Sequence, residues 1–94
     1  MLFMVVETFA ERDMGPIYAH LRAKGRGLPE GVEYVESWVA ADMGRCFQLM
    51  RADDAAKLQE WTLHWRGLGV QFEFVPVVPA KDTRELHARL GLDQ

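Results

Sequence analysis

The chain has 94 residues and a mass of 10.8 kDa, the size of a single domain, which excludes an enzyme with a separate cofactor domain. Hydrophobic residues make up 49% and charged residues 27%, a globular composition outside the disordered and fibrous classes. Eleven Lys and Arg against fourteen Asp and Glu leave a formal charge of -3, interspersed along the chain, so the clustered basic stripe of a nucleic-acid binder is missing.

Leu2 to Phe9 (LFMVVETF) is a short apolar run that reads as a strand. No basic region precedes it, and Glu7 interrupts it before the roughly 7–15 apolar residues of a signal peptide or the roughly 20 of a membrane span accumulate, so neither is expected. Asp13 is placed to cap a helix over Ile17 to Lys24, with Pro16 tolerated in its first turn and Gly25 and Gly27 able to stop it. After the turn Leu28 to Gly31, Val32 to Ala40 (VEYVESWVA) alternates as a second strand. A hairpin loop over Ala41 to Gly44 leads into a third, Arg45 to Arg51 (RCFQLMR). Asp53, with Asp54 beside it, begins a second helix that runs to Arg66 before Gly67 and Gly69. Val70 to Val78 (VQFEFVPVV) is the fourth strand, where Pro76 argues for an edge position or a bulge. Asp82, with Glu85 three residues on, starts a short C-terminal helix through Leu90 that packs on the outside.

The order β-α-β-β-α-β predicts an α+β, ferredoxin-like fold: one four-stranded antiparallel sheet with two helices on one face, followed by the C-terminal helix. Residues 1–79 are expected to form the domain and residues 80–94 a helical tail. A four-residue hairpin pairs Ala40 with Arg45, and then Val39 with Cys46, Trp38 with Phe47, Ser37 with Gln48, Glu36 with Leu49 and Val35 with Met50. Tyr34, Trp38, Phe47 and Leu49 then share one face, and Val35, Val39, Cys46 and Met50 the other. Both faces are apolar, yet helices can cover one only. A sheet with a wet side normally alternates apolar with polar, so a second sheet is the simplest cover, and a homodimer of the dimeric α/β-barrel type is expected with Tyr34, Trp38 and Phe47 at its interface.

Candidate chemistry is sparse. Ser37 and Gln48 face each other amid apolar neighbours, with Cys46 nearby, and can either satisfy one another or grip a polar group of a ligand between sheet and helices. His20 lies at the edge of the first helix's apolar stripe, where it is either a boundary residue or an acid/base. Leu58, Trp61, Thr62 and Trp65 share one face of the second helix, a core stripe whose indoles also make an apolar wall for an aromatic ligand. Glu7 and Glu73 interrupt strands; either is a pocket base if buried and an edge charge if not. Arg22, Lys24 and Arg26 gather at a helix C-terminus, at most a weak anion site. His64 and His87 read as exposed, and no histidine or cysteine has metal-ligand spacing, so no metal is expected. Gly25 to Gly27 (GRG) follows a helix rather than a strand and is no nucleotide fingerprint, so no cofactor is expected. The single cysteine cannot form an internal disulfide, which points to a reducing compartment and, by default, the cytoplasm.

The opening MLFMVVETF, the stretch KGRGLPEGVEYVESWVAADMGRCFQLMRADD and the closing FEFVPVV resemble the domain-of-unknown-function 3303 family, with SWV, RCFQLM and PVV the most specific parts. The resemblance covers residues 1–78 and leaves out the tail from Lys81. It implies the dimeric α/β-barrel form of the ferredoxin-like fold but carries no reaction and no catalytic residues. By fold alone, the wider superfamily includes cofactor-free monooxygenases, isomerases, haem-degrading enzymes and ligand-sensing modules, among which fold does not choose. The expected function is therefore binding of a small apolar or aromatic molecule by a cytoplasmic homodimer, with Ser37, Cys46, Gln48, Trp61 and Trp65 lining the pocket. His20 is the first candidate for any catalysis. The alternative is a non-catalytic interaction module that uses the second sheet face.

Overall fold

Four eight-residue runs, three of them mainly β-branched and aromatic and the third in chain order (RCFQLMRA) alternating buried with more exposed residues, form the strands of a computed structural model that describes residues 1–93. In chain order the elements are β1 (Leu2–Phe9), α1 (Gly15–Lys24), β2 (Val32–Val39), β3 (Arg45–Ala52), α2 (Ala55–His64), β4 (Val70–Val77) and α3 (Ala80–Arg89). The strands make one antiparallel sheet in the order β2-β3-β1-β4, with α1 and α2 packed on the same face. This is the ferredoxin-like arrangement. β4, which contains Pro76, lies at an edge, where a missing N–H leaves no gap in the ladder.

The hairpin closes as the loop length requires, with the Ala40 N–H donating to the Arg45 carbonyl at 2.9 Å. Ser37 pairs with Gln48, Trp38 with Phe47 and Glu36 with Leu49. Beyond that the expected register fails. Val35 does not pair with Met50, because a β-bulge falls between Tyr34 and Glu36 and brings Tyr34 opposite Met50 instead. The bulge also overturns the placement of Tyr34 beside Trp38 and Phe47. Its hydroxyl lies 2.7 Å from the Ser37 hydroxyl, on the helix side of the sheet.

Helix boundaries differ at their caps. α1 begins at Gly15, with the Asp13 carboxylate accepting from the Gly15 N–H at 2.9 Å. α2 is capped by Asp54, not Asp53, through the Lys57 N–H at 3.1 Å, and ends at His64, two residues short of Arg66. The Asp53 carboxylate lies against Gly31 instead. α3 starts at Ala80 behind Pro79, so Asp82 and Glu85 form no capping box. No residue of α3 is buried, and Leu86 and Leu90 are exposed.

The helix-side face of the sheet is chemically divided, which places the site. Phe3, Val5, Met50 and Ala52 meet Leu58, Trp61 and Trp65 in the main core under α2. Toward the other end of the same face, Glu7, Ser37, Cys46 and Gln48 take these positions, and they lie opposite α1, which buries none of its own residues. A dry core forms where both layers are apolar, and a cavity remains where they are not.

Candidate functional site

The cavity between α1 and the sheet holds about 130 Å³ and is partly enclosed. From the sheet come Glu7 and Phe9 of β1, Ser37 and Val39 of β2, and Cys46 and Gln48 of β3. Met14, Ile17, Tyr18 and Leu21 cover it from the α1 side, Arg26 enters from the loop after α1, and Trp61 and Trp65 close it from α2 and its end.

Glu7 is the central feature. Strand alternation puts it on the same side as Phe3, Val5 and Phe9, so a carboxyl occupies a core-facing position and is only 7% exposed. Burial pushes its pKa up to about 7, against the opposing pull of a hydrogen bond from Cys46 and the charge of Arg26. Cys46, its partner across the β1–β3 pair, is pushed up to about 12, first by burial and then by the charge of Glu7 and the hydrogen bond to it. Such a thiol is a donor and a packing group rather than a nucleophile.

Gln48 is likewise 7% exposed, and its amide N–H reaches only the Met50 sulfur, at 3.3 Å. Sulfur is a weak acceptor, so much of the amide's bonding capacity is left to the cavity. Ser37 and Tyr34, rather than Ser37 and Gln48, satisfy one another. Trp61 donates its indole N–H to the Arg26 carbonyl at 2.9 Å, so that donor is spent on the fold. The Trp65 N–H is buried and has no partner among the described residues.

Of the three cations that the sequence gathers as at most a weak anion site, Arg26 lines the cavity, whereas Arg22 and Lys24 do not. Gly25 and Gly27 both take positive φ, 69° and 68°, which lets the loop turn sharply on either side of Arg26 and press against α2. His64 completes that contact through its Nε2, 2.9 Å from the Gly25 carbonyl oxygen. The Arg26 guanidinium stacks over the Tyr34 ring at 3.6 Å and forms no ion pair among the described residues.

Ser37, Cys46, Gln48, Trp61 and Trp65 all line the cavity, whereas His20 does not. Its ring packs between His64 and Trp65, with centroids at 4.6 and 5.1 Å, and its Nε2 is buried without a partner among the described residues. Glu73 is exposed on β4, and Arg22 and Lys24 are exposed at the end of α1. No three His, Cys, Asp or Glu side chains gather as a metal site among the described residues. No helix there is long and apolar enough to cross a membrane.

A family model described as a domain of unknown function, DUF3303, matches residues 1–91. The match runs past residue 78, where the resemblance in the quoted segments ends, and takes in α3. No curated protein and no solved structure matches the chain.

Proposed function

The chain belongs to the DUF3303 family, whose description assigns no activity, and on that premise we propose that its cavity binds a small organic molecule of about one six-membered ring. Size supports this: an apolar cavity of about 150 Å³ takes up benzene, and this one holds about 130 Å³. Lining chemistry supports it too. Phe9, Tyr18, Trp61 and Trp65 offer ring faces and edges, while Glu7, Gln48 and Arg26 offer polar contacts for one end of a ligand. The observation that carries the reading is the buried Glu7 carboxyl beside the under-bonded Gln48 amide in a space with room for a partner. A buried polar group without a full partner costs about 1–3 kcal/mol, and a ligand oxygen or N–H offsets that cost.

Phenol is the first probe. Excited at the indole band, Trp61 and Trp65 should report a saturable change as phenol is added. Quenching that rises linearly, as for a free indole in solution, would reject the cavity as a binding site.

A second reading concerns the opposite face of the sheet, which we infer meets a second copy of the chain. Leu2, Met4, Val6, Phe47 and Leu49 are only half-buried there, and Trp38 and Val75 are 52% and 38% exposed. That is a large apolar surface for a monomer of this size. Leu86 of α3 and Leu90 at its C-cap are exposed as well. The free, buried Cys46 fits a reducing compartment, and the cytoplasm is the setting we infer.

A further inference from the structure

We propose that the cavity is catalytic, with Glu7 taking a proton from the carbon next to the carbonyl group of a small cyclic ketone while Arg26 holds the carbonyl oxygen. The inference rests on the binding reading above and assigns a reaction and a substrate class to the same cavity.

The argument begins with what the cavity brings together. Among its lining residues Glu7 is the only carboxyl and Arg26 the only cation. Arg26 stacks on Tyr34 and has no ion-pair partner among the described residues, so its N–H groups are open to a ligand oxygen. Glu7 lies deeper, at a core position of β1, among Phe9, Cys46 and Gln48. A ligand that satisfies both needs an oxygen acceptor at one end and an acidic hydrogen close to it. A ketone with hydrogens on its α-carbon has this arrangement, and a six-membered cyclic ketone fits the volume.

The reaction balances without any added reagent. A Glu7 carboxylate oxygen takes the α-proton; the C–H electron pair becomes the carbon–carbon π bond, and the carbonyl π pair moves to oxygen as an enolate. Arg26 donates N–H hydrogen bonds to that oxygen, and Gln48 is the second candidate donor. The reverse step returns a proton from the Glu7 carboxyl to carbon. Proton abstraction next to a carbonyl works best with a base whose pKa lies near ambient pH, and burial holds Glu7 at about 7. Lysozyme and ketosteroid isomerase show the same principle, an apolar site setting a carboxyl's protonation for its task. Cys46 takes no part, since its thiol donates to Glu7 and lies far from ionisation at neutral pH.

The test is hydrogen–deuterium exchange at the α-carbons of cyclohexanone in D2O, followed by proton NMR at several pD values, with phenol, a planar mimic of the enol, as competitor. The native protein should accelerate exchange at least tenfold over buffer, with a rate that rises through a midpoint near 7 and is suppressed by phenol. Glu7→Gln should lose at least tenfold of that acceleration while still changing its fluorescence with phenol, and Glu7→Asp should retain part of it with a similar midpoint. Circular dichroism of each variant shows that it is folded. Exchange no faster than in buffer, or equal in native protein and Glu7→Gln, with phenol still bound, overturns the catalytic proposal and leaves the binding reading standing. Absence of both exchange and phenol binding overturns both.

Discussion

Cys46 lies directly opposite Glu7 across the β1–β3 pair, and burial pushes the Glu7 pKa up against the smaller downward pull of the Cys46 thiol. A single thiol donor cannot replace the hydration that a carboxylate loses on burial, so the folded protein favours the protonated acid. Unfolded, Glu7 titrates at 4.5; folded, at about 7. Below 4.5 it is protonated in both states and has no effect on stability. Between the two values the folded state binds the extra proton, so this group makes stability fall as pH rises, and above about 7 the full penalty of about 3 kcal/mol is in place. Glu7→Gln should remove that slope. Urea unfolding at pH 5 and pH 8 should show the variant gaining on the native protein by up to about 3 kcal/mol between the two conditions. Parallel behaviour would mean that Glu7 is hydrated rather than buried.

Cys46 should be inert while the protein is folded. It is 7% exposed and its pKa is pushed up to about 12, so very little of the reactive thiolate is present at pH 7. Iodoacetamide labelling of native protein is expected to run at least a hundredfold slower than in urea. Comparable rates in the two conditions would show that the cavity opens freely to solvent.

The sequence made the sheet legible because alternation, glycine stops and a hairpin loop of fixed length all pointed to one register from Glu36 to Arg45. It concealed the Val35 bulge, since an extra residue leaves composition and local propensity unchanged while moving Tyr34 to the other face. Ser37, Cys46, Gln48, Trp61 and Trp65 were readable as cavity residues from strand and helix phase, and all line it. Glu7 carried a usable signal, being in phase with Phe3, Val5 and Phe9, but its charge argued more strongly for an exposed edge, and the structure buries it. Arg26 carried only a weak one, as one of three cations near the end of α1: its entry into the cavity depends on two positive-φ glycines and on a contact with α2 that is distant in sequence. His20 looked suitable by helix phase, yet the neighbouring rings of His64 and Trp65 occupy it outside the lining.

Gly27 should be the most sensitive residue of the loop that carries Arg26. Its φ is 68°, and a Cβ there would run into the His64 ring. Gly27→Ala therefore combines left-handed strain of about 1–2 kcal/mol with a clash that pushes the loop away from α2. A melting temperature lower by roughly 4–8 °C for each kcal/mol lost is expected for a domain this size, together with weaker phenol binding as Arg26 shifts. Gly25→Ala meets no atom within 4 Å and leaves the contact with α2 in place; its φ of 69° and ψ of -164° lie in a region nearly confined to glycine, so its cost is backbone strain alone and phenol binding should be kept. Equal effects of the two would assign the cost to backbone conformation alone.

Trp38 tests what covers the outer face of the sheet. It is 52% exposed, pairs with half-buried Phe47, and contributes nothing to the core beneath the helices. Trp38→Asp should therefore leave circular dichroism and the Trp61 and Trp65 environment unchanged. In a sheet-to-sheet dimer related by a two-fold axis, the substitution puts an unpaired carboxylate from each copy into the same apolar interface. Burying a charge without its partner costs about 3–5 kcal/mol, enough to weaken association by at least a hundredfold. Sedimentation at micromolar concentration should show the native chain at twice its 10.8 kDa mass and the variant as a monomer. A native protein that sediments as a stable monomer would assign the outer face to a different partner, and a variant that stays dimeric would move the interface to α3.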